Sequence, residues 1–183
     1  MKHRTNNGFT LIEILLYIAL VSGLLIAAST FSWNIINSKT KSQSIQEVEM
    51  NGKLIMGHLT RVIRSARSVD VSSLLNSNLA DPGNAGQSVS LDIRDATDDP
   101  TIVDVNNGTL RLQIGTGPAV AISSNLVTIT NLTLHDYGLA SGKSENLGIT
   151  LTLERINPES RNEYDASITL TTAVELRDRS ISL

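Results

Sequence analysis

The sequence contains no cysteine and few aromatic residues. Among 183 residues there is no cysteine, 3% are aromatic and the formal net charge is -3. Without cysteine the chain has no disulfide, no thiolate metal ligand and no cysteine nucleophile. Nucleic-acid-binding surfaces combine clustered lysine and arginine with aromatic side chains, and no such block occurs. We therefore do not predict nucleic acid as a partner.

Candidate catalytic and metal-binding residues are also sparse. His3, His58 and His135 are far apart in the sequence, so they form no cluster for metal binding or acid–base chemistry. The segment "GTGP" at positions 115–118 lacks the Lys-Ser/Thr pair of a phosphate-binding loop and indicates a turn between strands. No nucleophile stands in a recognisable arrangement with a base. The sequence predicts no enzyme, no metal site and no cofactor.

Two sets of charged residues could each have a function, and each also has a simpler explanation. Hard cations such as calcium prefer oxygen ligands, but the acidic positions here lack the EF-hand spacing, so we favour a solvated loop. These positions are Asp95, Asp98, Asp99 and Asp104. Three arginines, Arg61, Arg64 and Arg67, could contact acids of a partner, although arginines on an exposed helix face usually contact water.

The most informative segment is the apolar run "FTLIEILLYIALVSGLLIAASTFSW" from Phe9 to Trp33. Its uninterrupted part, from Ile14 onward to residue 31, would be about 27 Å long as a helix, enough for a bilayer core. Glu13 is its only ionisable residue apart from Tyr17. An acid at the centre of a membrane helix costs about 2.5–3.5 kcal/mol, so Glu13 requires a partner or a task.

Three interpretations of this run remain open on the residues alone. A cleavable secretory signal would use Ala27-Ala28-Ser29 as its cleavage site, but the apolar run is long for a signal and Glu13 interrupts it early. A plain membrane anchor fits the length and leaves Glu13 unexplained. The third interpretation is a short leader, "KHRTNNG" at positions 2–8, which is cleaved from the chain just ahead of the apolar run.

This third interpretation rests on a family resemblance. "KHRTNNG" followed by "FTLIE" resembles the prepilin-type signal of type IV pilins and type II secretion pseudopilins. The resemblance implies that a prepilin peptidase cleaves between Gly8 and Phe9 on the cytoplasmic side and that the new amino group of Phe9 is methylated. It also implies that Glu13, the fifth residue of the processed chain, assists assembly by pairing with the amino group of a neighbouring subunit.

Physical reasons support each residue of this motif. Gly8 lets the backbone enter a peptidase cleft closely, although a glycine before a helix is also ordinary. Glu13 lies near the helix N-terminus, where the helix dipole and a free amine are favourable for a carboxylate, and an intramolecular pair with Phe9 is the alternative to an intersubunit one. Tyr17, four residues later, could donate a hydrogen bond to Glu13, but packing is the favoured explanation.

The resemblance also implies a function and a location. It predicts a structural subunit of a type IV pilus or a type II secretion pseudopilus, most similar to minor pilins and J-type minor pseudopilins. The implied partners are other pilin or pseudopilin subunits, the prepilin peptidase, the inner-membrane assembly platform and membrane lipid. The implied location is the cytoplasmic membrane, crossed once with the C-terminal domain exported, and then the filament. The alternative is a singly anchored surface binding module or adhesin that does not polymerise.

Charge does not determine the orientation in the membrane. Lys2 and Arg4 precede the apolar run, and Lys39 and Lys41 follow it closely, so the counts of positive charge on the two sides are equal. Export of everything after Trp33 is therefore an implication of the resemblance.

The pattern after the apolar run predicts a helix and then strands. Apolar residues recur every three or four positions as far as Val69, and no proline occurs before Ala80, so we predict one helix from Phe9 to about Val69. The predicted stripe consists of Ile45, Val48, Gly52, Ile55, Leu59, Val62, Ala66 and Val69. Gly52 and the strand-rich remainder favour packing on a sheet over a coiled coil.

Alternating apolar residues predict five or six antiparallel strands after position 88. We expect a hairpin through Asn106-Asn107-Gly108 and a bulge near Thr130 and Asn131, where the alternation changes phase. The predicted fold class is therefore α+β and pilin-like, with a long N-terminal helix, membrane-spanning in its first half and amphipathic in its second, packed on an antiparallel sheet. The predicted parts are a leader at 1–8, a membrane or filament-core helix at 9–33 and an exported domain at 34–183.

Overall fold

A 55-residue helix, α1 (Leu11–Ser65), begins the folded chain in the computed structural model, which describes residues 9–137 and 146–176. The chain forms two compact units, Met1–Thr40 and Lys41–Leu183. Leucine, isoleucine and alanine predominate in the first part of α1 and no proline interrupts it, as a long helix requires.

The first unit is an apolar helix without protein cover. Every residue from Phe9 to Ile36 is exposed except the half-buried Val21. The hydroxyl groups of this segment bond to carbonyl oxygens one turn earlier: Ser29 donates to Leu25 at 2.8 Å, and Ser22, Thr30 and Ser32 behave similarly. By length and composition this helix can cross a membrane, which is compatible with single-pass anchoring.

In the second unit α1 buries one stripe against strands. The predicted positions Val48, Gly52, Ile55 and Leu59 are buried, as expected. The ends of the stripe differ from the prediction because Ser44 is buried where Ile45, 44% exposed, was expected, and Ile63 is more buried than Val62. Ser44 is tolerated there because its hydroxyl donates to the carbonyl oxygen of Glu163 at 3.0 Å.

The predicted helix end at Val69 is wrong. The helix ends at Ser65, and β1 (Ala66–Val69) follows at once, antiparallel to β2 (Ser88–Ile93). A four-residue segment with apolar ends fits either structure. Pairing with a strand more than twenty residues away supplies its backbone hydrogen bonds, and local periodicity contains no information about that pairing.

Five strands form the first sheet, in the order β1-β2-β3-β4-β5, all antiparallel. The other three strands are β3 (Thr101–Asn106), β4 (Thr109–Ile114) and β5 (Val120–Ala121). The predicted β3–β4 hairpin is confirmed, with Val103 opposite Leu112 and Val105 opposite Leu110. Its turn residues, Asn107 and Gly108, have φ values of 50° and 73°, as a tight hairpin turn requires.

Three longer strands form a second antiparallel sheet: β6 (Val127–Asp136), β7 (Asn146–Arg155) and β8 (Ser167–Glu175). The predicted bulge is confirmed, since the β6–β7 register shifts between Ile129 and Asn131. The described residues thus contain eight strands in two sheets, where the sequence predicted five or six in one. The two additional strands, β1 and β5, are short, and the alternation of so few residues cannot indicate a strand.

One hydrophobic core joins α1 to both sheets. Its buried side chains come from α1, from the first sheet and, most densely, from β6 and β7. Leu147, Ile149, Leu151 and Leu153 of β7 have no exposed surface. Broadly, the fold is α+β, with one long apolar N-terminal helix and antiparallel sheets, as predicted.

Candidate functional site

The candidate site is the first turn of α1, where Thr10 caps the helix. The backbone N–H of Glu13 donates to the Thr10 hydroxyl at 3.3 Å and to the Thr10 carbonyl oxygen at 3.1 Å. "TLIE" is thus one half of a capping box, in which a Thr at the cap is followed three residues later by Glu or Gln. Sequence reasoning missed this role, although the Thr-x-x-Glu spacing indicates it. This hydrogen bond uses only the backbone N–H of Glu13 and not its carboxylate.

The carboxylate of Glu13 makes no hydrogen bond and no ion pair with any described residue. Its side chain lies among apolar neighbours on the helix surface, with Phe9, Ile14, Tyr17 and Leu20 lining the same shallow groove. By contrast, the hydroxyls of Ser22, Ser29, Thr30 and Ser32 all have carbonyl partners. In the apolar core of a bilayer such a lone carboxylate would be costly.

Only part of the predicted site lies within the described chain. Gly8, the predicted cleavage position, lies outside the described residues. Phe9 precedes the helix and is 78% exposed. Tyr17 is 68% exposed and makes no hydrogen bond with Glu13. The structure thus places Phe9, Glu13 and Tyr17 along the start of one helix.

The acidic segment between Asp95 and Asp104 uses its carboxylates to build turns and pairs. Asp95 accepts hydrogen bonds from the backbone N–H and hydroxyl of Thr97, which lower the pKa of Asp95 below its usual value. Asp99 accepts from the N–H of Ile93 at 3.0 Å, and Asp104 pairs with an arginine, Arg111, across the hairpin. In residues 9–137 and 146–176 no three acidic, histidine or cysteine side chains converge on a metal-sized site.

The arginines at the end of α1 are not gathered into a site. Arg61 and Arg64 are exposed, and Arg64 lies in the last helical turn, where a cation is favourable to the helix dipole. His58 is also exposed, one turn earlier. His135 lies elsewhere, with its ring stacked on that of Tyr137. These side chains suggest no catalytic arrangement among them.

A loop fastened to α1 was not predicted from the sequence. Residues 156–166, which we call the clamp loop, bond to one side of α1: Lys41 donates to carbonyl oxygens of Asn162 and Asp165, the former at 3.1 Å. Ser44 bonds to the same loop, and Glu47 forms an ion pair with Arg155 just before it. No sequence signal connects these positions, because the contacts span more than a hundred residues.

Aromatic and charged groups stiffen the clamp loop internally. The guanidinium groups of Arg155 and Arg161 lie over the Tyr164 ring, at 5.1 and 5.2 Å from its centroid. Arg161 also pairs with Glu163. The pKa of Glu163 is held below its usual value, first because the carboxylate accepts a hydrogen bond from the Glu163 backbone N–H and second because it accepts one from the Arg161 side chain. These contacts link side chains of the loop to one another and do not form a catalytic site.

Comparison with family models, with curated proteins and with solved structures finds no match to this chain.

Proposed function

We propose that this chain is a filament subunit, a minor pilin or pseudopilin, which a prepilin peptidase processes and which assembles into a type IV pilus or a type II secretion pseudopilus. The observation that supports the proposal is the lone carboxylate of Glu13, one turn from the start of an exposed apolar helix. Removal of residues 1–8 would create an amino group at Phe9, the missing positive partner. The "KHRTNNG-FTLIE" signal supports the same assignment.

The resemblance implies that the partner amine belongs to a neighbouring subunit, and a pair with the amine of the same chain is the alternative. In a low-dielectric surrounding an unpaired carboxylate is strongly unfavourable and a carboxylate–ammonium pair is favourable, so a pair formed between neighbours fixes their register. The helix dipole gives a competing explanation, because an acid in the first turn of α1 is favourable without any neighbour. The two explanations predict different results for one substitution.

The substitution that separates them is Glu13→Gln. Loss of a first-turn acid costs a helix only about 0.3–1 kcal/mol, so helix formation and membrane insertion remain normal in either case. The intersubunit pair requires the charge, so the variant is expected to be processed and inserted but absent from sheared filaments. Glu49→Gln, at a half-exposed acid farther along the same helix, is the matched control and assembles like the wild type. If Glu13→Gln entered filaments normally, the charge-pair role would be rejected.

A second candidate function is a singly anchored surface binding module. The observation that favours it is that neither the first-turn position of Glu13 nor the hydrophobic core of the second unit requires a neighbouring subunit. This candidate predicts that the wild-type chain stays in the membrane fraction and never appears in sheared filaments. Glu13→Ala would then have no effect on display of the domain at the cell surface.

A further inference from the structure

The outer edge of β8 carries a row of unpaired backbone groups. The N–H of Tyr137, just after β6, donates to the carbonyl oxygen of Asn146, so the backbone groups of Asn146 in β7 face β6. The N–H of Arg155, at the other end of β7, donates to the carbonyl oxygen of Ala166, so the backbone groups of Arg155 face β8. Backbone groups alternate between the two sides of a strand. With the β7–β8 register, this alternation directs the N–H and C=O groups of three β8 residues away from β7. They are Thr169, Thr171 and Ala173, whose backbones have no partner among the residues that the structure describes.

β8 also lacks the features that protect edge strands. Its nine residues contain no proline, lysine or arginine, and its register with β7 is continuous. The edge strands of the other sheet are much shorter, four residues in β1 and two in β5. A long, regular and unprotected edge is a template for pairing with another strand.

The opposite edge of the same sheet indicates what kind of segment fits. There an extended stretch of the chain covers β6: Asn76 N–H donates to Leu134 and Leu79 N–H donates to Leu132, both at 2.8 Å. The side chain of Leu79 is 1% exposed and completes the core beside β6. This edge is therefore closed by a strand-like segment that inserts an apolar side chain.

The core beside β8 is incomplete by comparison. Ile168 and Leu170 point to the core but are only half-buried, whereas Leu151 and Leu153, opposite them on β7, are fully buried. An added strand with apolar residues at alternate positions would cover both side chains and pair the free backbone groups.

We infer that the outer edge of β8 is a strand-acceptor site, which binds an extended segment of another protein chain carrying apolar residues at every second position. The backbone of Thr169, Thr171 and Ala173 supplies the hydrogen bonds, and Ile168 and Leu170 supply the apolar contact. This inference does not depend on the proposed filament function.

The test uses the full chain in detergent and a labelled peptide with the sequence of residues 146–154, "NLGITLTLE". This sequence already pairs with the other edge of β8. Saturable binding is expected, measured by fluorescence anisotropy. The amides of Thr169, Thr171 and Ala173 should exchange more slowly when the peptide is bound. The same peptide with Thr150→Pro, which removes an N–H that would face β8, should not bind.

Variants of the chain give the matched controls. Thr171→Pro removes an outward N–H that has no ladder partner, so the sheet is retained while binding weakens on the order of tenfold. Thr171→Val keeps the N–H and should bind like the wild type. Absence of saturable binding, unchanged exchange of the three amides, or binding unaffected by Thr171→Pro in a folded chain would each overturn the inference. If the chain self-associated through β8 and Thr171→Pro abolished this association, the occupant of the edge would be a second copy of the same chain. That result would overturn the inference that a different protein binds there.

Discussion

Gly52 of α1 lies directly against Leu170 of β8, so that a Cβ atom at position 52 would stand 3.0 Å from Leu170 Cδ1. The same Cβ would be 3.1 Å from Leu153 Cδ1. Such distances are shorter than ordinary van der Waals contact. Gly52 is therefore the place where the helix backbone approaches the second sheet most tightly among the glycines of the described helix.

Replacement of glycine by leucine should have opposite effects on the free energy of unfolding at Gly52 and at Gly57. A Cβ at Gly57 would meet nothing within 4 Å, so Gly57→Leu should raise the free energy of unfolding by about 0.5–1 kcal/mol through helix propensity. Gly52→Leu must displace Leu170 and Leu153, so it should lower the free energy of unfolding by about 1–3 kcal/mol. Urea unfolding in detergent, followed by far-ultraviolet circular dichroism, measures both. Equal effects at the two positions would contradict the packing described.

The attachment of the clamp loop predicts unequal contributions from two acids of α1. Arg155 is 17% exposed beside Glu47, whereas Lys53 and Glu49 are 69% and 46% exposed. Glu47→Gln is therefore expected to lower the free energy of unfolding by about 1–2 kcal/mol, because it leaves a partly buried guanidinium without its charge partner. The control Glu49→Gln should change it by less than about 0.5 kcal/mol. A larger loss in the control would contradict the proposed importance of the Glu47–Arg155 pair.

The lowered pKa of Glu163 predicts how stability depends on pH. A carboxyl group whose pKa is lower in the folded chain binds fewer protons when folded, so its stabilising contribution is present above the usual value of 4.5. This contribution is lost as the pH falls through the folded pKa. The urea midpoint should therefore decrease on acidification below 4.5, and less steeply in Glu163→Gln.

Arg161→Ala provides the second arm of this pH experiment. Because the backbone N–H of Glu163 remains as the larger cause of the shift, Arg161→Ala should remove only part of the difference between wild type and Glu163→Gln. If wild type and Glu163→Gln had identical pH profiles, the hydrogen bonds assigned to this carboxylate would be wrong.

Local signals predicted the local parts of the fold. Asn106-Asn107-Gly108 predicted the hairpin because residues with positive φ are needed in a tight turn, and the change of phase at Thr130 predicted the bulge because side chains alternate strictly in a strand. The long helix and most of its buried stripe followed from spacing. The apolar pattern through Ala66 and Val69 failed to predict the helix end because it fits both a helix and a short strand.

Contacts between distant segments could not be predicted. The division into two sheets, the capping of the β6 edge by Asn76–Leu79 and the clamp loop on Lys41 all depend on pairs of residues far apart in the sequence. At the candidate site the sequence indicated Phe9 and Glu13 but overlooked Thr10. The Glu13 carboxylate has no partner among the described residues, and neither composition nor spacing identifies one.

The mass and N-terminal residue of the mature protein, purified from the membranes of producing cells, test the filament proposal most directly. The proposal predicts a chain that begins at Phe9, with a methyl group on its new amino terminus. In this proposal that amine is the positive partner of the Glu13 carboxylate. An intact chain beginning at Met1, or one cleaved near Ser29, would contradict the proposal.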